Sequence, residues 1–235
     1  LAFWRVGGAR TTKIDVACPV RSAYDLTMRS DSERTGQPAR PSFIEEARRR
    51  QIVETAIRLI ATRGYSSASL SEIAREAGIS KGVISYHFEG KIELVEEILS
   101  RLLVEPAEFI KQRVDSSDRA MDKLRAYVTA NFEFMKTHRD HYVALVDLWE
   151  SRGSETGNRF GAEAYEPSRA YLSKILETGA ASGEFRRLAR GPVASVIQAA
   201  IDGVMLQWVF DEKAVDLDAC RDQILEMVTL HVVIR

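Results

Sequence analysis

The stretch that most restricts what this chain can fold into is "SLSEIAREAGISKGVISYHFEGK", Ser69 to Lys91. It holds two apolar-patterned runs, each too short to persist as an isolated helix, joined by the single glycine Gly78. Each run carries its own start signal. Ser69 and Glu72 form an S-x-x-E capping box, and Ser80 stands where it can cap the second run. Ile73, Ala74 and Ala77 give the first run an inward side, and Ile84 and Phe88 do the same for the second. Ile79 plugs the corner, and Ala74 is small enough for another helix to approach closely. Gly78 fits the tight turn, because a side chain at positive φ costs about 1 kcal/mol or more. Two short helices meeting at such a turn form a helix-turn-helix.

The segment before it, "SFIEEARRRQIVETAIRLIATRGY", predicts a longer supporting helix. Ser42 and Glu45 read as its capping box, while Ile52, Val53, Ala56, Leu59 and Ile60 make one apolar stripe. Gly64 ends it, and Arg48, Arg49 and Arg50 read as a solvated face. With Ile84 and Phe88 turned inward, the last short helix leaves Lys81, Gly82, Val83, Ser85, Tyr86 and His87 around its exposed start and outer side. A DNA major groove admits one helix, read mainly by residues near its N-terminus. Lys81 can donate to guanine, Val83 can meet a thymine methyl, and Gly82 lets the backbone come close. Tyr86 and Lys91 suit phosphate oxygens, which position the helix without reading sequence.

Composition limits the alternatives. At 235 residues, 45% hydrophobic and 29% charged, the chain reads as globular, with a small domain and a larger one. A net charge of -1 offers no global attraction to nucleic acid or membrane, so recognition has to be local. Residues 1–41 lack helical or strand periodicity and are expected to form a disordered extension; Met28 is a candidate natural start. No apolar run is expected to span a bilayer. Two distant cysteines, Cys18 and Cys220, fit reduced thiols, and the expected location is the cytoplasm.

After Lys91 the pattern is helical throughout. Helices are expected over residues 92–104, with Pro106 bending or restarting the chain, then over 118–136, 139–151, 165–181, 193–210 and 217–233. "RGSETGNRFG" and "ASGEFRRLARGP" read as loops. The fold class is all-α: a helix-turn-helix domain over residues 42–90, then a larger helical ligand-binding and dimerisation domain over 91–235. Phe132, Phe134, Met135, Tyr142, Leu145, Trp149, Tyr165 and Tyr171 describe a mostly apolar pocket with a few polar tips. His138 and His141 lie near Asp140, but no further His or Cys completes a metal set. No cofactor is implied. The last two helices are apolar on more than one side, with Ile197, Ile201, Val204, Trp208, Ile224 and Val228 as candidate contacts. Gly203 marks a close helix approach.

The span from Arg50 to about Leu94, "RQIVETAIRLIATRGYSSASLSEIAREAGISKGVISYHFEGKIEL", resembles the DNA-binding domain of the TetR (tetracycline-repressor-like) family. The agreement rests on "GY" after the first helix, "IAREAGIS", and the K-G-x-x-x-x-H-F-x-x-K spacing. Many relatives carry tyrosine where this chain has Ser85, so that contact is expected to shift to Tyr86 or His87. The resemblance implies backbone contacts from Ser69, Ser71 and Arg75. It also implies a homodimer built on the last two helices, a palindromic operator and a small-molecule effector, most simply in a repressor. A DNA-binding regulator without a ligand is the alternative. An enzyme carrying a helix-turn-helix is a further one, though no HExxH, GxSxG, CxxC, P-loop or GxGxxG stands in a credible setting.

Overall fold

The computed structural model describes residues 43–151 and 154–233, without the side chains of 154–164. The expected extension over 1–41, Cys18, Met28 and the Ser42 cap lie outside the described residues. The elements are α1 (Phe43–Arg63), a 3₁₀ turn (Tyr65–Ser67), α2 (Leu70–Glu76), α3 (Lys81–His87), α4 (Lys91–Asp115), α5 (Ala120–Thr137), α6 (Arg139–Ser151), α7 (Ser154–Ala181), α8 (Arg190–Phe210) and α9 (Leu217–Val232).

The α2–α3 corner forms as its residues dictate. Ser69 Oγ accepts from Glu72 N at 3.2 Å, and Ser80 Oγ accepts from Val83 N at 3.3 Å. Gly78 takes φ 67°, Ile79 N donates to Ala74 O at 3.0 Å, and Gly78 N donates to Arg75 O at 3.2 Å. That pair of bonds is a Schellman ending. Ile52, Ala56, Ile73, Ile84 and Phe88 bury together beneath it. This core does not stop at residue 90. It takes in Leu94, Ile98 and Leu102 of α4 and Ala144, Leu145 and Leu148 of α6, so the α1–α3 end is packed directly on the body. A second core joins α5, α7, α8 and α9 around Phe132, Leu172, Ile201 and Trp208.

Three expectations need correction. The segment read as the loop "RGSETGNRFG" is helical from Ser154, because α7 begins there. Its glycines each cost roughly 1 kcal/mol, too little to interrupt a helix whose later turns are anchored by Leu172, Ile175 and Leu176. Pro106 does not restart the chain at a boundary, since α4 runs through it to Asp115. Finally, α8 is long and apolar enough, by length and composition alone, to cross a membrane. Its inward side, with Ile197, Ile201, Met205 and Trp208, is instead part of the helical core.

Candidate nucleic-acid interface and ligand cavity

Ile84 and Phe88 dock α3 by its inner side, and the opposite side stands in solvent. Lys81, Gly82, Ser85 and Tyr86 are exposed, while Val83 and His87 are half-buried. On the neighbouring helix Ser71 and Arg75 are exposed, with Arg75 paired to Glu72. Ser69 and Ser80 are engaged as caps, which leaves their hydroxyls at the two helix starts. Tyr86 is 71% exposed and its hydroxyl donates to Glu45 Oε1 at 3.0 Å, a bond that raises the phenol's pKa.

Two basic residues are engaged within the fold. Lys91 points back at Tyr65: its Nζ lies 3.3 Å from the Tyr65 carbonyl oxygen and 4.1 Å from the ring centroid. Burial there lowers its pKa. In this conformation it fastens the start of α4 to the 3₁₀ turn rather than facing outward beside α3. Arg49, read from sequence as part of a solvated face, is a bolt. Its guanidinium lies 4.2 Å above the Phe88 ring, donates to the His87 carbonyl at the end of α3, and reaches Glu93 and Glu97 of α4 at 3.5 Å each. The end of α3 and the first turns of α4 are thereby held by one side chain.

A cavity of about 120 Å³ lies between α4, α5, α6, α7 and α8. Leu102, Leu103, Pro106 and Ile110 of α4 form an apolar wall, and Tyr142, Trp149, Tyr165 and Tyr171 enclose much of the remainder. A chain of hydrogen bonds crosses one side. Tyr127 donates its hydroxyl to Gln198 Oε1 at 2.7 Å, and Gln198 Nε2 donates to Asp202 Oδ1 at 2.9 Å. Tyr165 also hydrogen-bonds to Asp202. Burial pushes the Asp202 carboxyl up to about 6, against the opposing pull of those two bonds. Burial together with the Asp202 charge raises Tyr165 to about 12 and Tyr142 further still. The Trp149 indole N–H is buried with no acceptor among the described residues. A second hollow of about 320 Å³ shares Trp149, Tyr165, Gln198 and Asp202, and reaches the exposed side of α8 at Ser195, Ala199 and Leu206.

Two family patterns match this chain. "Bacterial regulatory proteins, tetR family" covers residues 52–98, and "BetI-type transcriptional repressor, C-terminal" covers residues 120–232. The chain belongs to the TetR family. Among its relatives, the fatty acid metabolism regulator protein of Bacillus subtilis (strain 168) is 28% identical over 186 residues, 76% of this chain and 92% of the relative. The HTH-type transcriptional repressor KstR2 of Mycobacterium tuberculosis (strain CDC 1551 / Oshkosh) is 27% identical over 140 residues, 60% of this chain and 70% of the relative. A crystal structure of a Saccharomonospora viridis protein assigned as a transcriptional regulator, in complex with choline, superposes with a TM-score of 0.71 at 27% identity. That match covers 81% of this chain and 100% of the other.

Within this TetR-family chain, the candidate ligand residues divide. Tyr142, Leu145, Trp149, Tyr165 and Tyr171 line the cavity; Phe132 and Met135 do not, because both are fully enclosed in the core. Sequence reasoning missed Tyr127, Gln198 and Asp202. The last two carried a signal, since they form a polar pair four residues apart in an otherwise apolar helix. The candidate dimer residues lie mostly inward. Ile197, Ile201, Trp208 and Ile224 face their own subunit's core, and Val204 and Val228 are half-buried against it. The outward apolar side holds Val196, Leu206 and Phe210 of α8 with Met227 and Leu230 of α9. Because α8 is apolar around its circumference, periodicity could not say which side turns inward.

Proposed function

We propose that this TetR-family chain is a cytoplasmic, effector-responsive repressor acting as a homodimer, with two copies of α3 entering successive major grooves of a palindromic operator. Lys81, Gly82, Val83 and Ser85 meet base edges. Ser69, Ser71, Arg75, Tyr86 and His87 lie along the sugar-phosphate backbone. The relatives' names support control of transcription, and the choline complex of a structural neighbour supports a small-molecule effector. Homologues that are regulators also favour binding over catalysis as the activity of this chain.

The observation that carries the reading is the placement of α4. Its first turns grip Arg49 beside the reading helix, and its later turns wall the cavity through Leu102, Leu103 and Pro106. An effector that prefers one position of α4 therefore changes the separation of the two reading helices. A coupling of roughly 1–3 kcal/mol alters operator affinity by about 5- to 150-fold, and DNA weakens effector binding by the same factor.

The test is selection of bound fragments from genomic DNA, followed by titration of the recovered site. Fragments sharing a palindrome are expected. Lys81→Ala should cost about 1–3 kcal/mol on that site and relax preference at one base pair, while binding to random DNA changes less. Retention of full specificity in Lys81→Ala, or no preference over random competitor at moderate salt, would refute the assignment.

A further inference from the structure

We propose that the cavity between α4 and α8 is a site for a small organic cation, with the Asp202 carboxylate as its counter-charge and the rings of Tyr142, Trp149 and Tyr165 as its walls. The proposal deepens the effector-cavity reading above by naming the chemical class of the ligand.

Asp202 is the starting point. Among the described residues no lysine or arginine forms an ion pair with it. Its partners are the Gln198 amide, whose orientation is fixed because Tyr127 donates to the amide's other end, and the Tyr165 hydroxyl. Asp202 is half-buried, and a carboxylate shielded from water beside neutral partners is destabilised unless a cation joins it. Placed on a cavity wall, such a group is a binding-site signature rather than a packing feature.

The other charges at the cavity point the same way. Lys111, which also lines it, is committed to Asp115 on its own helix. Arg169, beside the second hollow, is paired with Glu166 at 3.1 Å. Among the described residues, an anionic head group would therefore meet Asp202 with no uncommitted lysine or arginine on the cavity wall to receive it. An ammonium group gains the carboxylate and the electron-rich ring faces together. Ring contacts of this kind strengthen when water is excluded. Trp149 and Tyr165, whose ring centroids lie 6.2 Å apart, stand together on the same wall.

Calorimetric titration of the full chain tests this with matched probes: choline against its uncharged carbon isostere 3,3-dimethylbutan-1-ol, hexylammonium against hexan-1-ol, and octanoate as the anion. At least one cation should bind ten-fold or more tightly than its neutral partner, and Asp202→Asn should bring that ratio within about two-fold. Thermal unfolding of the variant verifies that it is folded. The proposal is overturned if neither cation outperforms its neutral counterpart, or if Asp202→Asn keeps the preference. Release of an operator fragment by octanoate with no effect of the cations would also overturn it, yet leave the effector-responsive reading intact. Failure to bind any operator would remove that reading, whatever the calorimetry gives.

Discussion

Asp202 weakens the empty protein in a pH-dependent way that can be worked out from its surroundings. Burial raises its folded-state pKa to about 6 from an ordinary 3.8. A group raised in the fold binds its proton more tightly there than in the unfolded chain. Its favourable contribution is therefore complete below about pH 4 and is lost as pH rises through about 6, a loss on the order of 3 kcal/mol. Asp202→Asn removes the titration while keeping the shape. In the absence of ligand, the variant should melt several degrees above the parent at pH 7.5, with the gap closing toward pH 4.5. Differential scanning calorimetry at the two pH values checks this, and a gap independent of pH would contradict it. Arg49 makes a second residue-scale prediction. Arg49→Met preserves an apolar stem over Phe88 but removes the bonds to His87, Glu93 and Glu97. Operator affinity should fall about 3- to 10-fold by fluorescence anisotropy, because the end of α3 loses a charge-assisted bond worth roughly 1.5–3 kcal/mol in favourable settings and less when half-exposed. Affinity for operator equal to the parent's would show that the bolt plays no part in holding the reading helix.

At the scale of elements, what the sequence revealed depended on how local the determining physics was. The α2–α3 corner was legible because its signals are local: two serine caps, one glycine at positive φ, and inward residues one helical turn apart. The start of α7 was not, since its glycines argue for a loop and only the anchoring of later turns overrides them. Within the cavity, Tyr142, Trp149 and Tyr171 could be found as aromatics with polar tips. Tyr127 could not, because a phenol on an inward helix face reads as core until its hydrogen-bond partner is known. The α7–α8 connection shows a similar dependence on tertiary contact. Phe185 folds back over Gly179, and a Cβ at Gly179 would sit 2.1 Å from the Phe185 ring. That ring is also buried, so it has little room to withdraw. Gly179→Ala should destabilise by about 1–3 kcal/mol through overpacking, lowering the melting temperature by several degrees. Adding Phe185→Leu should recover part of that loss in a double-mutant cycle. Strict additivity of the two changes would mean that the contact is not the cause.

At the scale of the whole molecule, the outward side of α8 bears on assembly. Val196, Ala199, Gly203, Leu206 and Phe210 recur at alternating spacings of three and four, the pattern of a helix seam rather than of scattered surface residues. Val196 and Phe210 are each 68% exposed in one subunit, and a Cβ at Gly203 would meet nothing within 4 Å. Small residues at the middle of the seam and large ones at its ends allow two such helices to cross closely. A second copy would also cover the side on which the larger hollow reaches Ala199 and Leu206, so assembly and ligand retention should be linked. Phe210→Glu with Leu206→Glu places two charges on this seam without touching the subunit's own core. Light scattering should then report a monomer at micromolar concentration, with helicity by circular dichroism unchanged. On the proposed homodimer, operator affinity should then fall by at least 100-fold, because a monomer would engage a single half-site and lose the gain from two joined α3 helices. A dimer that survives both charges, or a monomer that still binds the full palindrome as tightly as the parent, would place the two-fold contact elsewhere on the molecule.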